Sequence, residues 1–439
     1  MQGICPRPKF DFSDFPRTLH AIPSPPAKPL TMSAANPQSV SLAPIQGRVA
    51  SIDIFRGLTM MVMIFVNELA EVKGLPAWTY HMPAKVDAMT YVDMVFPIFL
   101  FIMGLSLPLA VQHRLKKNPS TTALWLHVLL RTLALIFIGL ALANADKADP
   151  ALMHLSQNAW VLITLTGAVL FWLDYGRAPR RPMLVHALRF GGLTAIVLMF
   201  AIFRRTARDG QVCWIDPSYP EILGLIGFTY LAICLLYLPT RRIVWAPFAW
   251  FAALLTLCAL STAHQLSFPN QLPLFVWPFG NGAMPCIAMA GVATSNLFLL
   301  PHRWSTLPRK MLAATAFALL AFAAGLLLTP LGISKIRATP TWSLYCIGAG
   351  ILLFTALYWI CDVKGRTAWA FFVKAAGSNT LMTYLLPDVF EFLTGLIGFT
   401  YLATHWSIGW PGVVKSVLFT LVVLALSTAL TRRNVRLQL

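Results

Sequence analysis

An all-α, polytopic membrane bundle is the fold class the sequence predicts, and three observations carry it. Of 439 residues, 57% are hydrophobic and 11% are charged, whereas soluble domains carry roughly a quarter charged residues. Apolar runs long enough to supply the ~20 helical residues that cross a hydrocarbon core recur along the chain. Lys and Arg collect in alternate breaks between those runs, the pattern that marks cytoplasmic loops.

Taken in order, residues 1–48 are proline-rich, hold five basic residues and lack both periodicity and the apolar core of a signal peptide. They read as a disordered basic tail, and Met32 opens a second candidate start, which leaves residues 1–31 in question. Residues 49–439 read as one transmembrane domain of about eleven to twelve spans: 52–70, 91–112, 123–143, 159–174, 183–203, 221–239, 243–262, 281–300, 311–330, 341–361, 375–390 and 413–431. The eleventh is the weakest in pattern. Its "KAAGSNTLMTYLLPDVF" mixes small, polar and apolar residues, and the following "FLTGLIGFTYLAT" either extends it or re-enters.

With the N-terminus placed in the cytoplasm, the inside loops and C-terminal tail hold 17 Lys and Arg and the outside loops hold 8. Both termini are therefore expected to be cytoplasmic. Much of the net charge of +18 is this bias, so nucleic acid is not an expected partner. Seven cysteines include no CxxC pair, which supports neither a disulfide framework nor a zinc site.

The first span, "SIDIFRGLTMMVMIFVNELAEV", is unusual in carrying Asp53, Arg56 and Asn67. Offsets of three, four and seven through Met60 place them on one helical face. Polar side chains at membrane depth face a bundle interior or a wet cavity. The alternative for Asp53 and Arg56 is a pair at the interface. Asn67 lies fourteen residues on, about 21 Å further along the axis at 1.5 Å per residue. The next span returns from Asp93, so Asn67, His81 and Asp93 are expected together at the outer mouth. An imidazole titrates near neutrality and a carboxylate can orient it, which suits a general base or nucleophile. His81 is the best chemical candidate among the nine histidines. Glu68, Glu71, Asp87 and Asp93 lie near it, but no HExxH-like spacing supports a metal.

Several blocks carry a family resemblance. "RVASIDIFRGLTMMVMIFVN", a loop histidine, "TYVDMVFPIFLFIMG", "ISKIRATPTWSLYCIGAGILLFTALYWICDVKG" and "GSNTLMTYLLPDVFE" resemble the transmembrane acetyltransferase family of heparan-α-glucosaminide N-acetyltransferase, and more closely its bacterial relatives of unassigned function. The blocks bracket about residues 48–392; between them only "EILGLIGFTYL" and "NGAMPCIAMAGVATSNLF" match, weakly. The resemblance implies transfer of an acetyl group from cytoplasmic acetyl-CoA, across the bilayer, to an amino sugar or other glycan on the far side. It also implies a multi-pass protein of the bacterial inner membrane, with no metal, and leaves a homodimer open. Its motif histidine corresponds to His81, its helix asparagine to Asn67 and its Asp before "VFP" to Asp93. The tryptophan of its "WSL" block corresponds to Trp342, its "DVKG" to Asp362 through Gly365, and its later Asn and Tyr to Asn379 and Tyr384.

The departures concern the acceptor. A Trp-x-Gly pattern after the histidine is replaced by "HMPAKVDAMT", a "HEVF" block reads Pro387, Asp388 and "VF", and a "GVLQR"-like block reads "EILGLIG". The long lumenal N-terminal domain of the lysosomal enzyme has no counterpart, so heparan sulfate itself is not expected. On this reading His81 is the base or a transient acetyl carrier, Asn67 steadies the oxyanion or the acceptor, and Asp93 holds the imidazole. Asp93 as an N-cap to the following helix stays open. Arg56, Asp53 and Lys364 are the candidates for acetyl-CoA, with an Asp362–Lys364 surface bridge as the alternative. Trp342, Asn379, Tyr384 and Asp388 are the candidates for the acceptor; the alternatives are an interfacial belt position for Trp342 and a Tyr384–Asp388 hydrogen bond. The rival function is a transporter or flippase for a sugar or lipid head group. It would line its route with the same polar residues and use broken helices near Pro97, Pro108 and in the eighth and eleventh spans.

Overall fold

The structure, a computed structural model, describes residues 49–176, 181–266, 279–299 and 306–437. The expected N-terminal tail lies outside them, as do Arg177, Arg180 and Arg303 of the charge count. About three quarters of the described residues are helical. In chain order the main helices are α1 (Ala50–Ala70), α2 (Val95–Lys117), α3 (Thr121–Ala143), α4 (Gln157–Trp172), α5 (Pro182–Ile202), α6 (Glu221–Thr240) and α7 (Ala246–Thr262). They are followed by α8 (Ala283–Phe298), α9 (Leu307–Leu327), α10 (Pro340–Tyr358), α11 (Phe371–Ser378), α12 (Thr380–Leu396) and α13 (Gly409–Arg432). Among the described residues, strand is confined to one two-residue pair, Arg205–Thr206 with Val212–Cys213, between α5 and α6.

Helices are the outcome because a chain in hydrocarbon must satisfy its backbone groups within each segment. Eight of them are long and apolar enough to cross a membrane. Fewer qualify than the eleven or twelve expected, for a reason of length: α4, α7 and α8 run 16, 17 and 16 residues, and 1.5 Å per residue leaves each short of a ~30 Å core. The expected eleventh span is not one helix. It stops at Ser378 and restarts at Thr380, with Asn379 between at φ −126° and ψ 51°. Neither Pro97 nor Pro108 breaks α2, and α8 is continuous.

The interior is set by close helix pairs. A Cβ on Gly104 of α2 would stand 1.7 Å from the Ala288 carbonyl oxygen of α8, and one on Gly291 would stand 2.1 Å from that of Phe101. Only a missing side chain permits that approach, the small-residue contact by which helices associate without a hydrophobic drive from water. The same device joins α1 to α11, where Gly57 meets the Val373 carbonyl and Gly377 that of Asp53. Almost every residue of α8 is buried. By contrast α5 buries only Gly192 and Phe200, and its Phe190, Val197 and Leu198 are exposed, like Leu319 and Leu320 of α9. Those outer faces fit lipid.

The start of α1 has no capping side chain of its own. Asp362, in a π-helical turn that ends α10, accepts from the amides of Ala50 at 2.9 Å and Ser51 at 3.0 Å. The carboxylate thereby satisfies two orphan donors at the positive end of the helix dipole. Lys364 does not bridge to it; its ammonium lies 5.1 Å from the Trp359 ring centroid.

The seam makes a prediction: Gly291→Leu should abolish monodisperse folded protein on size-exclusion chromatography in detergent. Gly191→Ala, at a position with no atom within 4 Å of the added carbon, should elute and melt like wild type.

Candidate active site

The site begins in the loop after α1. Lys73 pairs with the segment ahead of α13, donating to Ser407 O at 2.8 Å while its own carbonyl accepts from Gly409 N at 2.9 Å. Tyr80 donates its hydroxyl to Val72 O and receives the Leu75 amide, and Thr90 reaches back to Tyr80 O at 2.9 Å. These bonds fold the loop over the mouth of the bundle and place His81 against Asp93.

Asp93 lies in a 3₁₀ turn, Val92–Met94, leading into α2. Its side chain caps no amide of the helix that follows, so the N-cap reading is corrected. One carboxylate oxygen stands 2.7 Å from His81 Nδ1. The other accepts from the amides of Thr90 at 3.0 Å and Met82 at 3.3 Å. At 1% exposure Asp93 has no water to replace them, which makes each bond strong and each loss costly. A carboxylate on Nδ1 assigns the proton to that nitrogen and leaves Nε2 with its lone pair, the tautomer of a base.

Trp342, in α10, is fully buried and donates its indole N–H to the Asp93 carbonyl at 3.0 Å. Pro97 explains the bond. It stands four residues on and has no N–H to give that carbonyl, and the indole supplies the missing donor. The interfacial-belt reading of Trp342 is therefore corrected.

Sequence reasoning counted Lys335 only as a loop charge. Its ammonium nitrogen lies 3.2 Å from His81 Nε2 and 3.4 Å from Nδ1. Burial holds the Lys335 pKa below the ordinary lysine value, Asp93 partly opposing. The loop that carries it is held by an ion pair of Arg337 with Asp87, and by Asn281 donating to Ala338 O at 2.9 Å. Gly332, at φ +81°, leaves room for that ion pair: a Cβ there would stand 2.6 Å from Asp87 Oδ1.

His81, Lys335 and Asn67 line one cleft with about 450 Å³ of empty space, part of it open. Met63, Val66, Phe96, Phe99 and Ile226 give it apolar walls, and Tyr384 closes one side. Asn67 makes no hydrogen bond among the described residues and is exposed to the cleft. The Tyr384 hydroxyl donates not to Asp388 but to Glu221 Oε2 at 3.0 Å, which also accepts the Leu223 amide at 3.1 Å. Glu221 opens α6 with φ +58°, a backbone state that costs a non-glycine residue of order 1–3 kcal/mol. Nothing in the sequence pattern singled it out.

The other candidates lie elsewhere. Asn379 is 2% exposed and holds the C-terminal segment, donating to Thr431 Oγ1 at 3.2 Å and Val435 O at 2.9 Å and accepting the Leu437 amide at 3.3 Å. Arg56 sits 3.6 Å from Asp53 and donates to Gly377 O at 3.1 Å and Ser106 Oγ at 2.8 Å, toward the opposite end of α1 from Asn67. Asp388 is half-buried, one turn beyond Tyr384.

Fold and site together define a multi-pass helical membrane protein with a carboxylate-held imidazole in a cleft at one end of the bundle. Residues 48–245 match the family described as "Domain of unknown function (DUF5009)". The chain is also similar to human heparan-α-glucosaminide N-acetyltransferase, 33% identical over 110 residues, which is 25% of this chain and 16% of that protein. The mouse protein of the same name is 32% identical over 119 residues, 26% of this chain and 17% of the relative. The chain thus aligns with about a sixth of the length of these relatives.

The indole bond gives a test of assembly. Trp342→Phe keeps the ring and removes the donor, leaving a buried carbonyl unpaired; it should cost ~1–3 kcal/mol, read as a lower melting temperature in detergent.

Proposed function

We propose that the protein is a membrane acyltransferase that moves an acetyl group from cytoplasmic acetyl-CoA to an amine, of an amino sugar or another glycan, on the far side of the bilayer. The observation that carries the reading is the His81–Asp93 pair, with Nε2 turned to a cleft that also holds Asn67. The similarity to heparan-α-glucosaminide N-acetyltransferases supports the reaction type.

The chemistry follows from the roles. His81 Nε2 takes a proton from the attacking amine, a contribution of about 10²–10⁴ for a positioned base. The amine nitrogen bonds to the thioester carbon, the carbonyl oxygen becomes an oxyanion, and the C–S bond breaks to release CoA thiolate, which recovers the proton. Asn67 is the hydrogen-bond donor to that oxyanion, a role worth about 10²–10³ in rate. Asp93 holds the imidazole and stabilises its charged form. Trp342 acts through Asp93, as a positioning residue.

For the donor, the excess of Lys and Arg in alternate loops favours a polyanion on the cytoplasmic face, with both chain ends on that side. Lys364 is exposed there and available to CoA phosphates. Arg56 and Asp53 border the route between the two ends. On the acceptor side Tyr384 lines the cleft, with the Tyr384-bonded Glu221 beside it and Asp388 one turn beyond, while Trp342 acts through Asp93 and Asn379 holds the C-terminal segment.

Purified protein in detergent with isotopically labelled acetyl-CoA and a panel of amino sugars should form labelled product. His81→Ala should lose at least about a hundredfold of the rate. Binding of acetyl-CoA with no product from any amine would sink the acceptor assignment. Neither binding nor transfer, in folded protein, would favour transport without covalent chemistry.

A further inference from the structure

We infer that Lys335 is a self-acetylation site, its ε-amine standing where an acceptor amine must stand at His81. The inference rests on the acetyl-transfer reading above. Three observations carry it. The Lys335 nitrogen is 3.2 Å from Nε2 and 3.4 Å from Nδ1, over the imidazole and within reach of general-base removal of an amine proton once a rotation of the lysine side chain brings it onto the Nε2 lone pair. The residue lines the cleft itself, between the imidazole and walls apolar enough for an acetyl methyl. Among the described residues no carboxylate comes within ion-pair distance of it, so no salt bridge ties the ammonium down.

The backbone of this loop is fixed by the Arg337–Asp87 pair and by Asn281 on Ala338 O. Lys335 is therefore presented to His81 by structure rather than by chance collision. Burial lowers its pKa below the ordinary lysine value, which makes the neutral amine, the nucleophilic form, easier to reach.

The step balances without a further reactant. His81 Nε2 passes the ammonium proton to solvent, and the freed nitrogen lone pair bonds to the thioester carbonyl carbon of acetyl-CoA. The C–S bond breaks, and CoA thiolate takes the second nitrogen proton by way of the same imidazole. The products are an N-acetyl-lysine and free CoA. The modified side chain has no charge, cannot lose its acetyl group by the same route at a useful rate, and fills the acceptor's place with an amide. Self-acetylation is thus a brake on turnover that acts when donor is plentiful and acceptor scarce.

The test is labelled acetyl-CoA added to the purified full-length protein without acceptor, followed by digestion and mass spectrometry. Label should appear at Lys335 at least about a hundredfold faster than at Lys116 and Lys117, the scale of a positioned base. It should fall to their level in His81→Ala and, should that variant misfold, in Asp93→Asn. Adding an acceptor amine should slow the labelling of Lys335. Lys335 labelled no faster than the two lysines at the end of α2, or equally fast without the imidazole, would overturn the inference. The parallel acceptor panel separates the two readings. Transfer to an external amine with Lys335 unlabelled removes this inference alone, whereas absence of both removes the acetyl-transfer reading with it.

Discussion

Asp93 is the residue on which the rest depends. Its carboxylate fixes His81 and two loop amides, and its carbonyl is fixed by Trp342. The two ends of one residue therefore join the loop after α1 to the buried centre of the bundle. Pro97 makes the second contact necessary, because a proline at that position withholds the N–H that a helix would otherwise supply. A buried carboxylate is unfavourable unless its lone pairs are filled, and here the partners that fill them are also the groups that shape the cleft. Stability and site geometry are the same set of bonds.

Around that point the bundle is built by close approach. Gly104 and Gly291 bring α2 against α8, and Gly57 and Gly377 bring α1 against α11. With the α1–α2 ends positioned in this way, Asn67 and His81 face a common space. Asp362 fastens the other end of α1. The first helix is thus held at both ends by residues from the last third of the chain, and its polar face has no freedom to rotate away from the cleft.

Much of this was legible in the sequence. Apolar runs located the long helices to within a few residues, since a bilayer leaves little choice of backbone, but the expected span 375–390 is two helices. Topology alone brought Asn67, His81 and Asp93 together, because α2 returns from where α1 ends. What was not legible were contacts between distant loops. Lys335 meets His81 across 254 positions, and no periodicity reports which loops touch. Asp93 read as a helix cap and Trp342 as a belt residue because local pattern describes each alone; their bond to one another is long-range. Tyr384 and Asp388 shared a face as expected, yet the hydroxyl chose Glu221, a residue from another helix. The break at Asn379 was visible only as mixed composition, and the side-chain amide there bonds the distant C-terminal segment.

The bond between Trp342 and Asp93 spans 249 positions, and that separation has a meaning in time. At about 5–20 residues per second of synthesis, α10 emerges roughly 12–50 s after α2. Throughout that interval the α1–α2 hairpin is in the membrane with one carbonyl unpaired and its loop without the Arg337 partner. The stretch matching the family of residues 48–245 contains His81, Asp93 and Asn67 but neither Lys335 nor Trp342. A ribosome that stalls midway leaves a hairpin that already holds His81, Asp93 and Asn67 but lacks the indole that pairs the Asp93 carbonyl.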